Sequence, residues 1–319
     1  MKPVPLFVQE MDKNPMLWKV ARKIGGLVSR IGSHAGGIIF VDEPFTDSTS
    51  LMRTPEGALV TAFDLHTAER QSLIKYDLLS VEALDKIHVC LDLLVEDGLI
   101  ERKSTLKETY ENTIGIYKLE RTNPEMWKML WDRKILSVFQ MEEASGIRGI
   151  SLIKPKSVDE LAVLNSVIRL MAPEKDMEQP LETWAKYRKN INLWYQEMRN
   201  QGLTEEEIKW LASQPSITDG ICESQEGLMS LVQDEKLGGN SLNFADSCRR
   251  ALAKKIAAGF EKCEKEFYDN IKKKGCSMKL AEYVWGTLLR VQRGYSFVME
   301  LTHLTISSMG LYTNLLIKA

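Results

Sequence analysis

Leu73-Ile74-Lys75-Tyr76-Asp77-Leu78-Leu79 is the stretch on which the reading of this chain turns. Side chains alternate faces along a strand, so Lys75 and Asp77 point one way while Ile74, Tyr76 and Leu78 point the other. The pattern predicts a carboxylate beside an ammonium at a strand end, backed by an apolar layer. From Val81 the period changes. Leu84, Ile87, Leu91 and Leu94 recur at three- and four-residue intervals, which predicts an amphipathic helix closed by Asp97-Gly98.

Upstream of that stretch, Ala58 to Phe63 reads as a second strand after a Pro55-Glu56-Gly57 turn. Gly36 to Val41 is a short apolar run ending at Asp42-Glu43-Pro44 and reads as a buried strand. Met16 to Ser29 has helical spacing, with Leu17, Val20, Ile24 and Leu27 on one side. Downstream, almost everything is helical. Asn123-Pro124-Glu125 predicts a helix start with Asn123 as cap and Pro124 at the first position. Ser157-Val158-Asp159-Glu160 and Thr204-Glu205-Glu206-Glu207 read as capping boxes. Asp64 reads as an N-cap, and Gly238-Gly239-Asn240 as a loop. The predicted class is α+β, mostly α: a small mixed β portion over residues 31–79, a helix before it over 1–30, and a large helical domain over 80–319.

The 319 residues are 44% hydrophobic and 27% charged, which fits a globular chain rather than a disordered one. A net charge of -2 gives no overall attraction to nucleic acid. Binding a polyanion would need local clusters, since counterion release depends on cations placed at phosphates. Arg249/Arg250 with Lys254/Lys255, Lys272 to Lys274, and Arg188/Lys189 are such clusters; each reads equally as a solvated helix face. The five cysteines include no Cys-x-x-Cys and no paired histidine spacing, which argues for reduced thiols and against a zinc site. No apolar run is long enough to cross a bilayer, and the N-terminus has no secretory pattern.

Seven landmarks follow one another in order. Val20-Ala21-Arg22-Lys23-Ile24-Gly25-Gly26 runs through Ser33-His34-Ala35-Gly36-Gly37-Ile38-Ile39. The Lys75-Tyr76-Asp77 strand comes next, then Val138-Phe139-Gln140-Met141-Glu142 and Leu161-Ala162 through Arg169-Leu170-Met171-Ala172-Pro173. Gln225-Glu226-x-Leu228-Met229, Ala245-Asp246-x-x-Arg249-Arg250-x-x-x-Lys254-Lys255 and Gly294-Tyr295-Ser296-Phe297 complete the series. The set resembles the alpha subunit of DNA polymerase III, the bacterial replicative polymerase family, over nearly the whole chain. The Arg169–Pro173 and Gly294–Phe297 versions look most like those of bacteriophages and mobile elements.

The resemblance implies the end of a thumb (1–30), a palm segment (31–79) and a truncated helical fingers domain (80–319). It implies a DNA-directed DNA polymerase acting in replication on primer-template DNA and deoxynucleoside triphosphates, with Mg2+, in the bacterial cytoplasm or a phage host's. Asp77 is then the expected metal ligand and, with Lys75, the catalytic pair. Hard divalent cations prefer carboxylate oxygens, and phosphoryl transfer uses them to activate the attacking hydroxyl. From pattern alone, Asp77 paired with Lys75 at a strand end is sufficient explanation. His34 is expected either to touch the DNA backbone or to satisfy a turn, with Gly36 and Gly37 allowing close backbone approach. Arg169, Arg249, Arg250, Lys254, Lys255, Gln140 and Gln225 are the expected nucleotide-binding set; four cations within seven residues repel one another unless they face a polyanion such as a triphosphate. The tryptophans of the helical part are expected in the core rather than as stacking platforms.

The family's palm has two further aspartates in an Asp-x-Asp motif, and this chain contains no Asp-x-Asp. After Phe297 the usual Asn-x-Ser-His is replaced by Val298-Met299-Glu300-Leu301, with His303 as a displaced equivalent. Two functional classes follow. One is a palm-fingers portion of a polymerase that works with a separate polypeptide carrying the rest of the palm. The other is a catalytically inactive remnant that binds DNA or nucleotide, or an interaction module.

Overall fold

The computed structural model describes residues 5–28, 32–34, 36–78, 82–115, 124–135, 138, 140–172, 177–254 and 257–292. Lys255, Asn123, the Gly294–Phe297 motif and His303 lie outside the described residues, as does the side chain of Lys254. The chain divides into two compact units, one ending at residue 81 and the other beginning at Glu82.

The first unit holds helices α1 (Pro5–Lys13) and α2 (Pro15–Ile24), strand β1 (Gly37–Ile39), the short helix α3 (Phe45–Ser48), strands β2 (Leu51–Arg53) and β3 (Leu59–Thr61), helix α4 (Leu65–Arg70) and strand β4 (Lys75–Asp77). Both of its sheets are two-stranded and antiparallel. In one, β2 and β3 form a hairpin around the expected Pro55–Gly57 turn, where Gly57 takes φ +88°. In the other, β1 pairs with β4 in the register Gly37↔Asp77, Ile38↔Tyr76, Ile39↔Lys75. The Gly36 carbonyl extends the ladder by accepting the Leu78 N–H at 2.7 Å. Asp64 caps α4 as expected, its carboxylate accepting the Thr67 N–H at 2.8 Å. Strand β2 escaped the sequence reading, because Leu51-Met52-Arg53 is too short to show alternation.

The apolar side expected behind Lys75 and Asp77 forms, but among the described residues it is not buried. Ile74, Tyr76 and Leu78 are all exposed, as are Ile38 and Phe40 on the partner strand. Alternation correctly separates the two faces, but nothing described in this unit lies against the apolar one. The same holds for α2, whose stripe of Leu17, Val20 and Ile24 is exposed.

The second unit is helical: α5 (Glu82–Glu96), α6 (Leu106–Thr113), α7 (Glu125–Trp131), α8 (Ala144–Ile153), α9 (Val158–Leu170), α10 (Pro180–Lys189), α11 (Asn192–Asn200), α12 (Glu205–Ala212), α13 (Gln225–Gln233), α14 (Leu242–Lys254), α15 (Ala257–Lys274) and α16 (Met278–Tyr283). A π-helical turn, Val284–Leu289, continues α16. The start of α7 falls one residue later than predicted, with Pro124 at the cap position. Thr204 and Glu207 close a complete capping box on α12. At α9 only half of the predicted box forms. Ser157 accepts the Glu160 N–H, but the Glu160 carboxylate accepts from the Lys156 N–H and pairs with Arg188 at 2.5 Å. The two Glu160 oxygens thus serve a distant guanidinium and the N–H one residue before the cap.

One core cluster of this unit runs from Tyr187 on α10 to Leu289, and Leu91, Met126, Leu130, Ile150, Leu161 and Leu164 are buried ahead of it. Phe267 stacks on Trp285 with ring centroids 5.0 Å apart. Of the six tryptophans expected in the core, Trp127, Trp184, Trp194 and Trp285 are buried, and Trp131 and Trp210 are half-buried. One polar knot sits inside it. The Tyr187 hydroxyl donates to Glu197, the Trp194 indole N–H donates to the Tyr283 hydroxyl at 2.8 Å, and that hydroxyl donates to Glu197 at 3.5 Å. Burial first, then Glu197, pushes both phenols well above the ordinary tyrosine range. Beside this knot Thr218 and Ile221 exchange backbone hydrogen bonds around Asp219-Gly220, both at positive φ, the two-residue turn that an Asp-Gly pair favours. Any Cβ at Gly220 would lie 2.6 Å from the Tyr187 ring.

Candidate functional site

In the first unit, pairing of β1 with β4 brings together five residues that are 43 positions apart at their extremes, His34 and Asp77. Lys75 and Asp77 share one face, and the Lys75 ammonium hydrogen-bonds the Asp77 carboxylate. That hydrogen bond holds the Asp77 carboxyl below the usual carboxylate range; slight desolvation opposes it, and the charge of Lys75 adds to it, as would that of His34 in its protonated form. His34 Nδ1 is 4.0 Å from Asp77 Oδ1 and accepts the Gly36 N–H at 3.2 Å. A nitrogen that accepts carries no proton, so the neutral ring holds its hydrogen on Nε2. Gly37 stands opposite Asp77, and a Cβ there would come within 3.0 Å of His34 Nδ1 and 3.2 Å of Lys75 Cδ. The glycine thus lets the imidazole and the lysine stem approach the strand.

These residues do not make a metal centre by themselves. Among the described residues there is no group of three or more His, Cys, Asp or Glu side chains able to hold a metal ion. Asp77 contributes one carboxylate, already occupied by an ammonium. The expected Mg2+ therefore lacks a fitting ligand set here.

In the second unit, two of the expected nucleotide contacts meet. Arg249 on α14 donates through Nη1 to the Gln225 carboxamide oxygen at 2.7 Å, and through Nε to Asp246 at 2.8 Å. Arg250 reaches the other oxygen of Asp246 at 2.7 Å. Burial would raise the Asp246 carboxyl, yet Arg249 and then Arg250 hold it below the ordinary range. Within the expected cationic set, the two arginines therefore face differently. Arg249 is turned inward as a strut between α14 and α13, and Arg250 alone of the pair is well exposed. The signal was legible, since Asp246 lies three and four residues before the two arginines, the spacing at which helical side chains meet.

Gln225 is itself held by a strap. Its helix begins at Ser224, whose hydroxyl accepts the Gly227 N–H at 3.0 Å. Gln292 donates to the carbonyls of Cys222 at 2.6 Å and Ser224 at 3.2 Å. Gln292 also bridges to Met171, and the Ala172 N–H donates to the Val291 carbonyl at 2.9 Å. The end of α9, the residues after the π-helical turn and the start of α13 are thereby tied to one another. Arg169 lies in the last turn of α9, two residues before Met171, with its side chain exposed. It points to solvent, where a cation is favoured by the helix C-terminus. Gln140 belongs to neither cluster. It sits between α7 and α8 at φ +64°, and its carboxamide oxygen is buried with no hydrogen-bond partner among the described residues.

Sequence reasoning missed Asp246, Gln292 and Glu223. Glu223 precedes the Ser224 cap and is pushed up to about 7, by burial first and then by Asp219. Thr218 donates to one of its oxygens at 3.3 Å; the other is buried without a partner among the described residues. No pattern in the sequence marks a lone glutamate as half-buried.

The chain matches the model for the bacterial DNA polymerase III alpha subunit finger domain over residues 98–275, and that for the bacterial DNA polymerase III alpha NTPase domain over residues 4–80. It is 36% identical over 296 residues to a probable DNA polymerase, YorL, of Bacillus subtilis strain 168, covering 93% of this chain and 22% of that protein. The DNA-directed DNA polymerase of Bacillus phage SPbeta aligns with the same figures. The DNA polymerase III subunit alpha of Thermus aquaticus is 26% identical over 319 residues, 99% of this chain and 24% of that protein. The chain thus spans about a quarter or less of the length of these relatives.

Proposed function

Because the chain belongs to the bacterial DNA polymerase III alpha family, we propose that it is the palm-fingers portion of such an enzyme, with residues 31–79 as palm segment and 80–319 as fingers. It would act in template-directed addition of deoxynucleotides to a primer end, together with a polypeptide that supplies the rest of the palm. The observation that carries this reading is the convergence of His34, Gly37, Lys75 and Asp77 on one strand pair within the ordered family landmarks. In it, Asp77 would be one of the carboxylates of a magnesium site whose other ligands the partner polypeptide supplies. One carboxylate is too few for that site, so the chain alone is inactive. Lys75 holds Asp77 in place and offers an ammonium to phosphate. The Nε2–H of His34 faces the DNA backbone. Arg250 and Arg169, the exposed guanidinium groups, meet the triphosphate with Lys254 and Lys255, while Arg249 and Gln225 position α14. Primer extension by the chain mixed with an upstream palm polypeptide tests the reading. Activity should appear only with both present and vanish with Asp77→Asn; activity indifferent to that substitution removes Asp77 from the site.

A second reading has its own observation. The Asp77 carboxylate is neutralised by Lys75, and no described cluster can hold a metal. On that reading the chain is a non-catalytic module that binds primed DNA or nucleotide. Steep loss of DNA affinity with salt, without extension in any mixture, is its signature.

A further inference from the structure

Gln292 is buried, 7% exposed, at the junction of three segments. Its backbone bridges to Met171 after α9, beside the Ala172 N–H that donates to the Val291 carbonyl at 2.9 Å. Its carboxamide nitrogen donates to the Cys222 carbonyl at 2.6 Å and to the Ser224 carbonyl at 3.2 Å. That nitrogen carries two hydrogens, so one neutral side chain serves both acceptors. Ser224 caps α13, and its carbonyl also accepts the Leu228 N–H at 3.1 Å. The residue after the cap is Gln225, whose carboxamide oxygen accepts from Arg249 at 2.7 Å. Arg249 holds one oxygen of Asp246, and Arg250 holds the other. Hydrogen bonds, joined by the backbone step from Ser224 to Gln225, thus lead from a buried carboxamide to an exposed guanidinium.

We propose that Gln292 is a positioning residue for nucleotide binding. It fixes the start of α13, and through Gln225, Arg249 and Asp246 it sets the direction in which Arg250 is presented. The inference rests on the reading of α14 as the helix that meets a triphosphate. Two observations favour this role over simple filling of the core. An apolar side chain of the same length would fill the space, whereas a buried carboxamide costs free energy unless its donors are used. Both of its acceptors also lie within three residues of Gln225, so its bonds fix the turn from which the contact to Arg249 departs. An exposed arginine loses rotamer freedom when it meets a phosphate. Holding Arg250 beforehand through Asp246, itself aligned by Arg249, lowers that cost.

Calorimetric titration of the full chain with a deoxynucleoside triphosphate is the test. Gln292→Met keeps the side-chain length and removes both donors. It should weaken binding about three- to tenfold, the scale at which residues of a connected network act on a distant site. Arg250→Leu should weaken it about tenfold, the scale of one hydrogen bond to a charged group. The double variant decides between positioning and a general structural effect. If Gln292 acts through Arg250, Gln292→Met weakens binding no further once Arg250 is replaced; an independent effect adds in full. Amide exchange in Gln292→Met should quicken at 225–228 and at 246–250. Gln233→Met makes the same change at the far end of α13, where the carboxamide donates within its own helix to the Met229 carbonyl at 3.0 Å, and should bind as the parent chain does. Gln225→Leu breaks the same run of bonds one link nearer the surface; where Gln292→Met does not fold, it takes that variant's place in the comparison with Arg250→Leu. Unchanged affinity, or losses that add in the double variant, overturns the inference and leaves the nucleotide reading standing. A parent chain that binds no triphosphate overturns that reading and the inference together.

Discussion

The second unit buries Trp184, Trp285, Tyr187 and Phe267 almost completely, whereas in the first unit Ala68 is the one buried apolar side chain among the described residues. The contrast is not one of composition. The first unit has its own supply of large apolar side chains, including Leu17, Val20, Ile38, Phe40, Tyr76 and Leu78, and leaves them in water. Burying such a side chain contributes about 1.5–3 kcal/mol. The helical unit gains that many times over; the sheet unit has the material, and among its described residues no opposing layer covers it. A unit with its own core sets its stability from within, and one without depends on what it is placed against.

Core truncation should expose this difference most strongly. Trp285→Ala removes the ring on which Phe267 stacks and should cost the second unit about 3–5 kcal/mol. Phe40→Ala, on an exposed side chain, should change stability by less than about 0.5 kcal/mol. Urea titration monitored by tryptophan fluorescence for the helical unit, and by amide exchange for both units, makes the comparison. Comparable losses from the two substitutions would mean that the sheet face is covered in the free chain.

The struts of the second unit come next. Arg249→Leu strands the Gln225 carboxamide oxygen and leaves Asp246 only Arg250, and should destabilise by about 1–3 kcal/mol, the cost of leaving a partly buried polar group unpaired. Arg250→Leu removes an exposed ion pair and should cost less than about 1 kcal/mol. Under the proposed function the order inverts for nucleotide binding, where Arg250 matters directly. Equal stability losses would show that Arg249 is not the internal strut described here.

A smaller effect depends on pH. Glu223 is pushed up to about 7 in the fold, against an ordinary glutamate value near 4.5. The folded state holds this proton more tightly, so its contribution is complete below about pH 4.5 and is lost as pH rises through 7. Glu223→Gln keeps the neutral form at every pH. It should therefore gain on the parent chain by about 1–3 kcal/mol between pH 5 and 8, and match it at pH 4. Denaturant midpoints across that range check the sign. No gap at pH 8 would place Glu223 in water.

Legibility differed by feature. The caps at Asp64 and Thr204, the Pro55–Gly57 turn and the Lys75/Asp77 face were readable because each involves neighbours within four residues. The box at Ser157 forms only by half because Arg188, 28 positions away from Glu160, takes one of its carboxylate oxygens and the other turns to the Lys156 N–H. Gln292 strapping Cys222 and Ser224 was unreadable for the same reason, at separations of 70 and 68 positions.

Alone, the string of residues determined the periods, the caps, the mostly helical class and the ordered landmarks that place the chain in its family. All of these are written in short-range spacing, since the backbone repeats at two and about 3.6 residues. Only the tertiary structure decided that Arg249 faces inward, that Glu223 is half-buried, and that the apolar side of the Lys75–Asp77 strand stays exposed. Those outcomes depend on which distant segment arrives opposite a given side chain, and no local period carries that information.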